Sequence, residues 1–143
     1  MENHLFVYGS LMGDIDTSIA RLLKNNSVFL GLAQVKGTLY DLGSYPGLIV
    51  DPKAPYQIQG HLFRMHRPNY LLPFLDEYEG TANPNVPNEY RRELIQLDFE
   101  SKRQSCWVYS YNLSVDGLPI IESGNYLEYL KNNPNYQRFI DSV

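Results

Sequence analysis

The apolar positions of the chain fall into short blocks whose period changes along its length. The first block, "LFVYG", is continuously apolar, which predicts a strand buried on both faces. It stops at Gly9-Ser10, before Leu11-Met12 and the acidic "GDID", and this loop leads into "DTSIARLLKNN". There the period is helical, with Ile19, Leu22 and Leu23 on one face and Asp16 or Thr17 as the N-cap. Three blocks rich in β-formers follow: Ser27 to Tyr40, Leu48 to Asp51, and "YQIQGHLFRM". Tyr45 to Gly47, "YPG", reads as a turn between the first two.

In "RPNYLLPFLDEYEG" the period changes again. Leu71, Leu72, Leu75 and Tyr78 repeat at helical spacing, Pro68 and Pro73 sit toward the start, and Gly80 follows as C-cap. After the polar "TANPNVPN" come two alternating segments. "YRRELIQLDF" places Ile95, Leu97 and Phe99 in phase, and "SCWVYSYNL" does the same for Trp107, Tyr109 and Tyr111, so both read as half-buried strands. "SGNYLEYLKNN" closes the pattern with a short helix whose Tyr126, Leu127 and Leu130 point inward. About six strands and two or three short helices, not in strict alternation, predict an α+β fold with a strongly curved, mixed, barrel-like sheet.

No internal repeat, low-complexity tract or like-charge block marks a boundary, so residues 1–143 read as a single domain. A chain of 143 residues buries about two-thirds of its unfolded surface without needing a staple. The net charge of −4 argues against the basic face that binding to nucleic acid requires. The apolar run near the N-terminus is too short to span a membrane, and Glu2 precedes it where a secretory signal carries positive charge. Cys106, the one cysteine, has no internal partner, which fits a reducing compartment. The expected location is the cytoplasm. The 13% aromatic fraction, twelve Tyr included, suits a β-rich fold with a lined pocket.

Two stretches are candidates for chemistry. Glu79 lies at the last turn of the helix pattern "RPNYLLPFLDEYEG", where the negative end of the helix dipole and the apolar neighbours Leu75 and Tyr78 raise a carboxylate's pKa toward that of a general base. The same position suits a solvated helix-end acid, one of three with Asp76 and Glu77. The loop Tyr8, Gly9, Ser10, Leu11 turns successive amides toward one point around a glycine, which suits an anion, or it is a plain strand-to-helix turn. Ser10 lacks the G-x-S-x-G context of a hydrolase nucleophile. His61 and His66, five apart in one strand pattern, face opposite sides and do not share a metal. The stripe Trp107, Tyr109, Tyr111 reads as the core and rim of a sheet or as a pocket wall.

Taken together, "VYGSL", "YPG" at Tyr45 to Gly47, "LDEYEG", "YRR" at Tyr90 to Arg92, "WVYSY" and "IESGNY" resemble the γ-glutamylcyclotransferase-like family in order and separation over almost the whole chain. Asn125 stands where that family usually has an aspartate. The resemblance implies an enzyme that needs no metal or cofactor and acts on a small-molecule γ-glutamyl substrate, releasing 5-oxoproline and an amine. It assigns Glu79 as the acid and base, and Tyr8, Gly9, Ser10 and Leu11 as the loop that holds the γ-glutamyl group. The alternative on the same fold is a non-catalytic protein that binds a small carboxylate-bearing ligand.

Overall fold

A computed structural model describes residues 2–9, 17–43, 45–79 and 88–132. The initial apolar run forms β1, His4–Val7, and Leu5, Phe6, Val7 and the following Tyr8 are all buried. Burial on both faces follows from its central place: β1 pairs antiparallel with β4, Gln57–Met65, and parallel with β6, Lys102–Tyr111. Between these come β2, Ser27–Asp41, β3, Pro46–Val50, and β5, Tyr90–Phe99. β2 runs along β4, β5 forms a hairpin with β6, and β2 meets β5 at Gln34 and Asp98. The ring β2-β4-β1-β6-β5 is thereby closed as a mixed barrel, with β3 added to β2 on the outside. A bulge between Phe29 and Gly31, with Gly31 at φ 148°, supplies part of the bend that closure requires.

Among the described residues three short helices decorate the ring. In α1, Ser18–Asn25, the Thr17 hydroxyl caps the Ala20 amide at 3.1 Å, and Ala20 and Leu23 are buried with Ile19 and Leu22 packed beside them. Asp16, the other candidate cap, lies outside the described residues. α2, Pro68–Glu79, begins on a proline, as a first helical turn allows, and buries Leu71, Leu72 and Leu75. Its Tyr78, expected on the inner face, is 47% exposed and lines up instead with exposed Tyr70 and Phe74. Gly80, read as its cap, lies outside the described residues. α3, Tyr126–Lys131, is capped by Asn125, whose side chain accepts from the Glu128 amide at 3.1 Å. Asn caps as well as Asp does, so Asn125 supplies the full capping bond. The preceding Gly124 has φ 67°, and a Cβ on it would stand 2.0 Å from the Gln57 carbonyl oxygen, so only glycine fits the contact in which Gln59 N–H bonds its carbonyl.

Three expectations are corrected by the packing. Tyr45 to Gly47 are not a turn: Pro46 and Gly47 are the first residues of β3, paired with Asp41 and Tyr40, and the reversal lies just before them, where Leu42 N–H bonds the Tyr45 carbonyl and Gly43 has φ 108°. A proline is tolerated as the first residue of an outer strand because it owes no ladder bond there. β6 is not half-buried, since Cys106, Val108, Tyr109 and Ser110 are all buried. Tyr109 and its cross-strand partner Arg92 both reach Asp76 of α2. The face carrying Trp107 and Tyr109 is therefore closed at Tyr109 by the Asp76 side chain and at Trp107 by the Arg92 guanidinium, while Cys106 and Val108, both 0% exposed, alternate to the other face. His66 lies beyond the end of β4, so it and His61 do not share a strand. Among the described residues no helix is long and apolar enough to cross a membrane.

Candidate functional site

The end of β1, the end of α2, the start of β3, the start of β5 and the end of β6 meet at one mouth of the barrel. Tyr8, buried just after β1, donates its hydroxyl to the Tyr109 carbonyl at 2.5 Å and accepts from the Leu48 amide at 3.3 Å. Tyr90 donates to the Pro46 carbonyl at 2.5 Å. The Pro46 ring packs on Gly9, where an added Cβ would stand 3.1 Å from its Cγ, and Gly47 leaves room for the Tyr111 ring, whose Cγ would be 2.9 Å from a Cβ. The start of β3 thus braces Tyr8 and Gly9 from across the mouth.

Glu79 ends α2 at this mouth, partly buried. Burial, and after it the negative charge of Glu89, push its pKa up to about 8. Burial is the cause expected from its apolar neighbours, although of the two named Leu75 is buried and Tyr78 is 47% exposed; the second contribution, from a residue beyond the polar loop, is not legible in the sequence. The Glu79 charge acts in return on Tyr8, Tyr90 and Tyr109. All three phenols are held well above the usual tyrosine range, chiefly by burial, and stay neutral. Tyr45, hydrogen-bonded to Glu89, is pushed up to about 12 by that bond and by burial. A third carboxylate, Glu93, accepts from buried Ser110 at 2.5 Å and from Arg91 at 3.0 Å, and its charge also reaches Tyr8.

One turn before Glu79, Asp76 sits in the opposite kind of environment. Arg92 donates to its two oxygens at 2.8 and 3.3 Å, and Tyr109 donates at 2.7 Å. The same guanidinium lies 4.4 Å above the Trp107 ring, so charge pairing and stacking reinforce each other.

Of the residues expected to carry chemistry, Tyr8, Gly9 and Glu79 are brought to this mouth, while Ser10 and Leu11 lie outside the described residues. Gly9 does not have positive φ; the constraint on it is the Pro46 ring. Glu89 and Tyr90 carry no sequence signal that brings them to this mouth, Tyr45 and Pro46 read from sequence as part of a turn, and Tyr109 reads as core, rim or pocket wall. The hydroxyl protons of Tyr8, Tyr90 and Tyr109 are directed to a carbonyl, a carbonyl and a carboxylate, so donors for a developing oxyanion fall to backbone amides rather than to these phenols. Cys106 is buried in the barrel, which pushes its thiol up to about 12 and leaves it inert as a nucleophile. Among the described residues no three His, Cys, Asp or Glu side chains cluster where a metal ion would sit.

Comparison with known proteins places this arrangement in a lineage. The family described as Gamma-glutamyl cyclotransferase, AIG2-like, matches residues 5–128. The chain is 34% identical over 131 residues to the Gamma-glutamylcyclotransferase family protein YtfP of Escherichia coli K12, covering 87% of this chain and 96% of that protein. The solution NMR structure of ytfP from Escherichia coli superposes with a TM-score of 0.64 at 33% identity, over 88% of this chain and 97% of that one. The crystal structure of an AIG2-like protein from Mus musculus shares the fold, with a TM-score of 0.65 at 22% identity over 85% of this chain and 86% of that one. Matched over residues 5–128 by the family and over 87% of its length by YtfP, the chain, a closed mixed barrel with Tyr8, Gly9 and Glu79 at one mouth, belongs to the γ-glutamylcyclotransferase, AIG2-like, family.

Proposed function

We propose that the protein cyclises a γ-glutamyl amine or peptide, releasing 5-oxoproline and an amine, with Glu79 as acid and base and with Tyr8, Gly9, Ser10 and Leu11 holding the glutamyl group. Family membership supports a cyclotransferase in general terms. The observation that carries the specific reading is Glu79, a partly buried carboxylate with a pKa of about 8 whose charge reaches Tyr8, the residue that opens the glycine loop.

The chemistry follows from that environment. The α-amine of the glutamyl group arrives as an ammonium, whose positive charge beside Glu79 lowers the carboxyl's pKa and favours its base form. Glu79 takes one proton, and the freed nitrogen attacks the γ-carbonyl carbon to form a five-membered tetrahedral adduct, whose ring nitrogen sheds its surplus proton, in the end to the released amine, which departs as its ammonium and leaves 5-oxoproline a neutral amide. With the positive charge gone, Glu79 returns to its raised pKa and is the proton source that the leaving nitrogen needs as the old C–N bond breaks. Folding the glutamyl chain onto itself in the loop supplies orientation, a contribution of about 7 kcal/mol or more in well-aligned intramolecular reactions. We place the reaction in the cytoplasm, where the buried free thiol of Cys106 fits.

The test is incubation with a panel of γ-glutamyl amines, γ-glutamyl peptides and a γ-glutamyl isopeptide, reading 5-oxoproline by mass. Release from at least one member is expected. Saturable binding across the panel with no release from any would replace the enzyme by a binding protein on the same fold.

A further inference from the structure

We propose that Tyr109 is a positioning residue for the reaction at Glu79, its hydroxyl and its main-chain carbonyl together fixing the acid–base carboxylate relative to the loop that opens at Tyr8. The inference rests on the reading of Glu79 given above and extends it to a residue that need not touch the substrate. Tyr109 lies on β6, 4% exposed, between the two halves of the mouth. Its hydroxyl donates to Asp76 Oδ1 at 2.7 Å, three residues before Glu79 on the same helix face, and its carbonyl accepts the Tyr8 hydroxyl at 2.5 Å. One residue therefore ties the helix that carries the carboxylate and the strand end that carries the loop to the same point on the barrel wall.

The last turn of α2 needs such a tie. Helix ends lack intrahelical partners for their final carbonyls and fray, and α2 has no basic residue in its last turn to offset this. Pro73 in its interior removes the amide that would bond the carbonyl of Asn69, which loosens the coupling between the two halves of the helix. Arg92, stacked on Trp107, supports Asp76 from the second side. The groups that face Glu79 electrostatically come from several elements: Tyr8 after β1, Tyr90 on β5, Tyr109 on β6 and Glu89 before β5. A displacement of about 1 Å in a reacting group can cost about 10² in rate, so a small loss of anchorage should be read in turnover before it is read in stability.

Tyr109→Phe tests this, because it removes the bond to Asp76 and keeps the ring and the carbonyl that holds Tyr8. On a substrate active with wild type, kcat should fall about tenfold or more with KM little changed. Placed on Glu79→Gln, the same change should cost nothing further, since its effect runs through Glu79. A readout without substrate accompanies these: the Glu79 carboxyl, titrated by carbon NMR, should have its midpoint moved from near 8 toward the ordinary carboxylate range, as the last turn exposes it. Arg92→Lys, which keeps the charge but loses the two-oxygen contact, should move the midpoint in the same direction. If Glu79→Gln abolishes turnover while folded Tyr109→Phe keeps wild-type kcat and an unmoved midpoint, the positioning role is overturned and the reading of Glu79 stands. Undiminished turnover by Glu79→Gln would instead overturn that reading and the positioning role built on it.

Discussion

Asp76 and Glu79 share one helix and one face, yet the molecule treats them in opposite ways. Asp76 is met by a guanidinium on two oxygens and by a phenol. Glu79, one turn on, is desolvated and faced by Glu89, with its pKa near 8. A carboxylate matched with a cation is a structural bolt, because its oxygens are occupied. One matched with burial and a like charge holds its proton into the neutral range, which is what a group that must both take and return a proton requires. The contrast teaches that the role of an acid in this helix is decided by what the barrel wall presents to it, since dipole and residue type are nearly the same for both.

The strongest way to break the comparison is to remove proton exchange at Glu79 alone. Glu79→Gln should bind substrate but lose about 10² to 10⁴ in turnover, measured as single-turnover 5-oxoproline release; an almost unchanged rate would make Glu79 as structural as Asp76. Next in size is the pH profile of the wild type. Below a pKa of about 8 the base form of free Glu79 falls tenfold per unit, so kcat/KM should rise with pH up to about 8 and then stop rising.

Stability gives the third test, with a definite sign. The folded pKa of Glu79 is raised above its model value of 4.5, so between about 4.5 and 8 the native state holds a proton that the unfolded chain has released, and wild-type stability falls as pH rises through that window. Glu79→Gln lacks this dependence. Chemical denaturation should show the two equal near pH 4 and the variant ahead by about 1–4 kcal/mol at pH 8.5. The smallest effect is expected from Glu89→Gln, which removes the like charge but not the burial: the midpoint of the pH–rate profile should move down by less than about one unit. A move upward would mean that Glu89 does not oppose ionisation of Glu79.

Period and punctuation made the strands and helices legible, because each is a local property: the buried run of β1, the alternation of β5, the Thr17 cap. What covers a face is not local. The outward stripe of β6 reads as a half-buried strand until Asp76 of α2 and Arg92 are seen to close over Tyr109 and Trp107, and Tyr78 keeps helical phase yet is 47% exposed. Pro46-Gly47 carries turn chemistry in its composition but starts a strand, because the reversal was already made at Leu42 and Gly43. At the mouth, Glu79 stood out by its place at a helix end. Its neighbour Glu89 did not, because they approach only once the chain has left α2 and returned as β5. Tyr109 is a similar case, one aromatic among twelve tyrosines until its hydroxyl and carbonyl are seen to hold two different elements.

The ring closes where β2 and β5 meet, and among the described residues that junction is the single pair Gln34 and Asp98. The β1–β6 junction likewise rests on one pair, Leu5 and Trp107, whereas β4 joins β1 and β2, and β6 joins β5, through extended ladders. The wall is therefore two laddered sheets, β2-β4-β1 and β5-β6, joined by two thin seams, and amides bordering the seams should exchange with solvent through local opening rather than global unfolding. Each seam joins segments distant in sequence, so closing the ring is expected late in folding, after the ladders are in place.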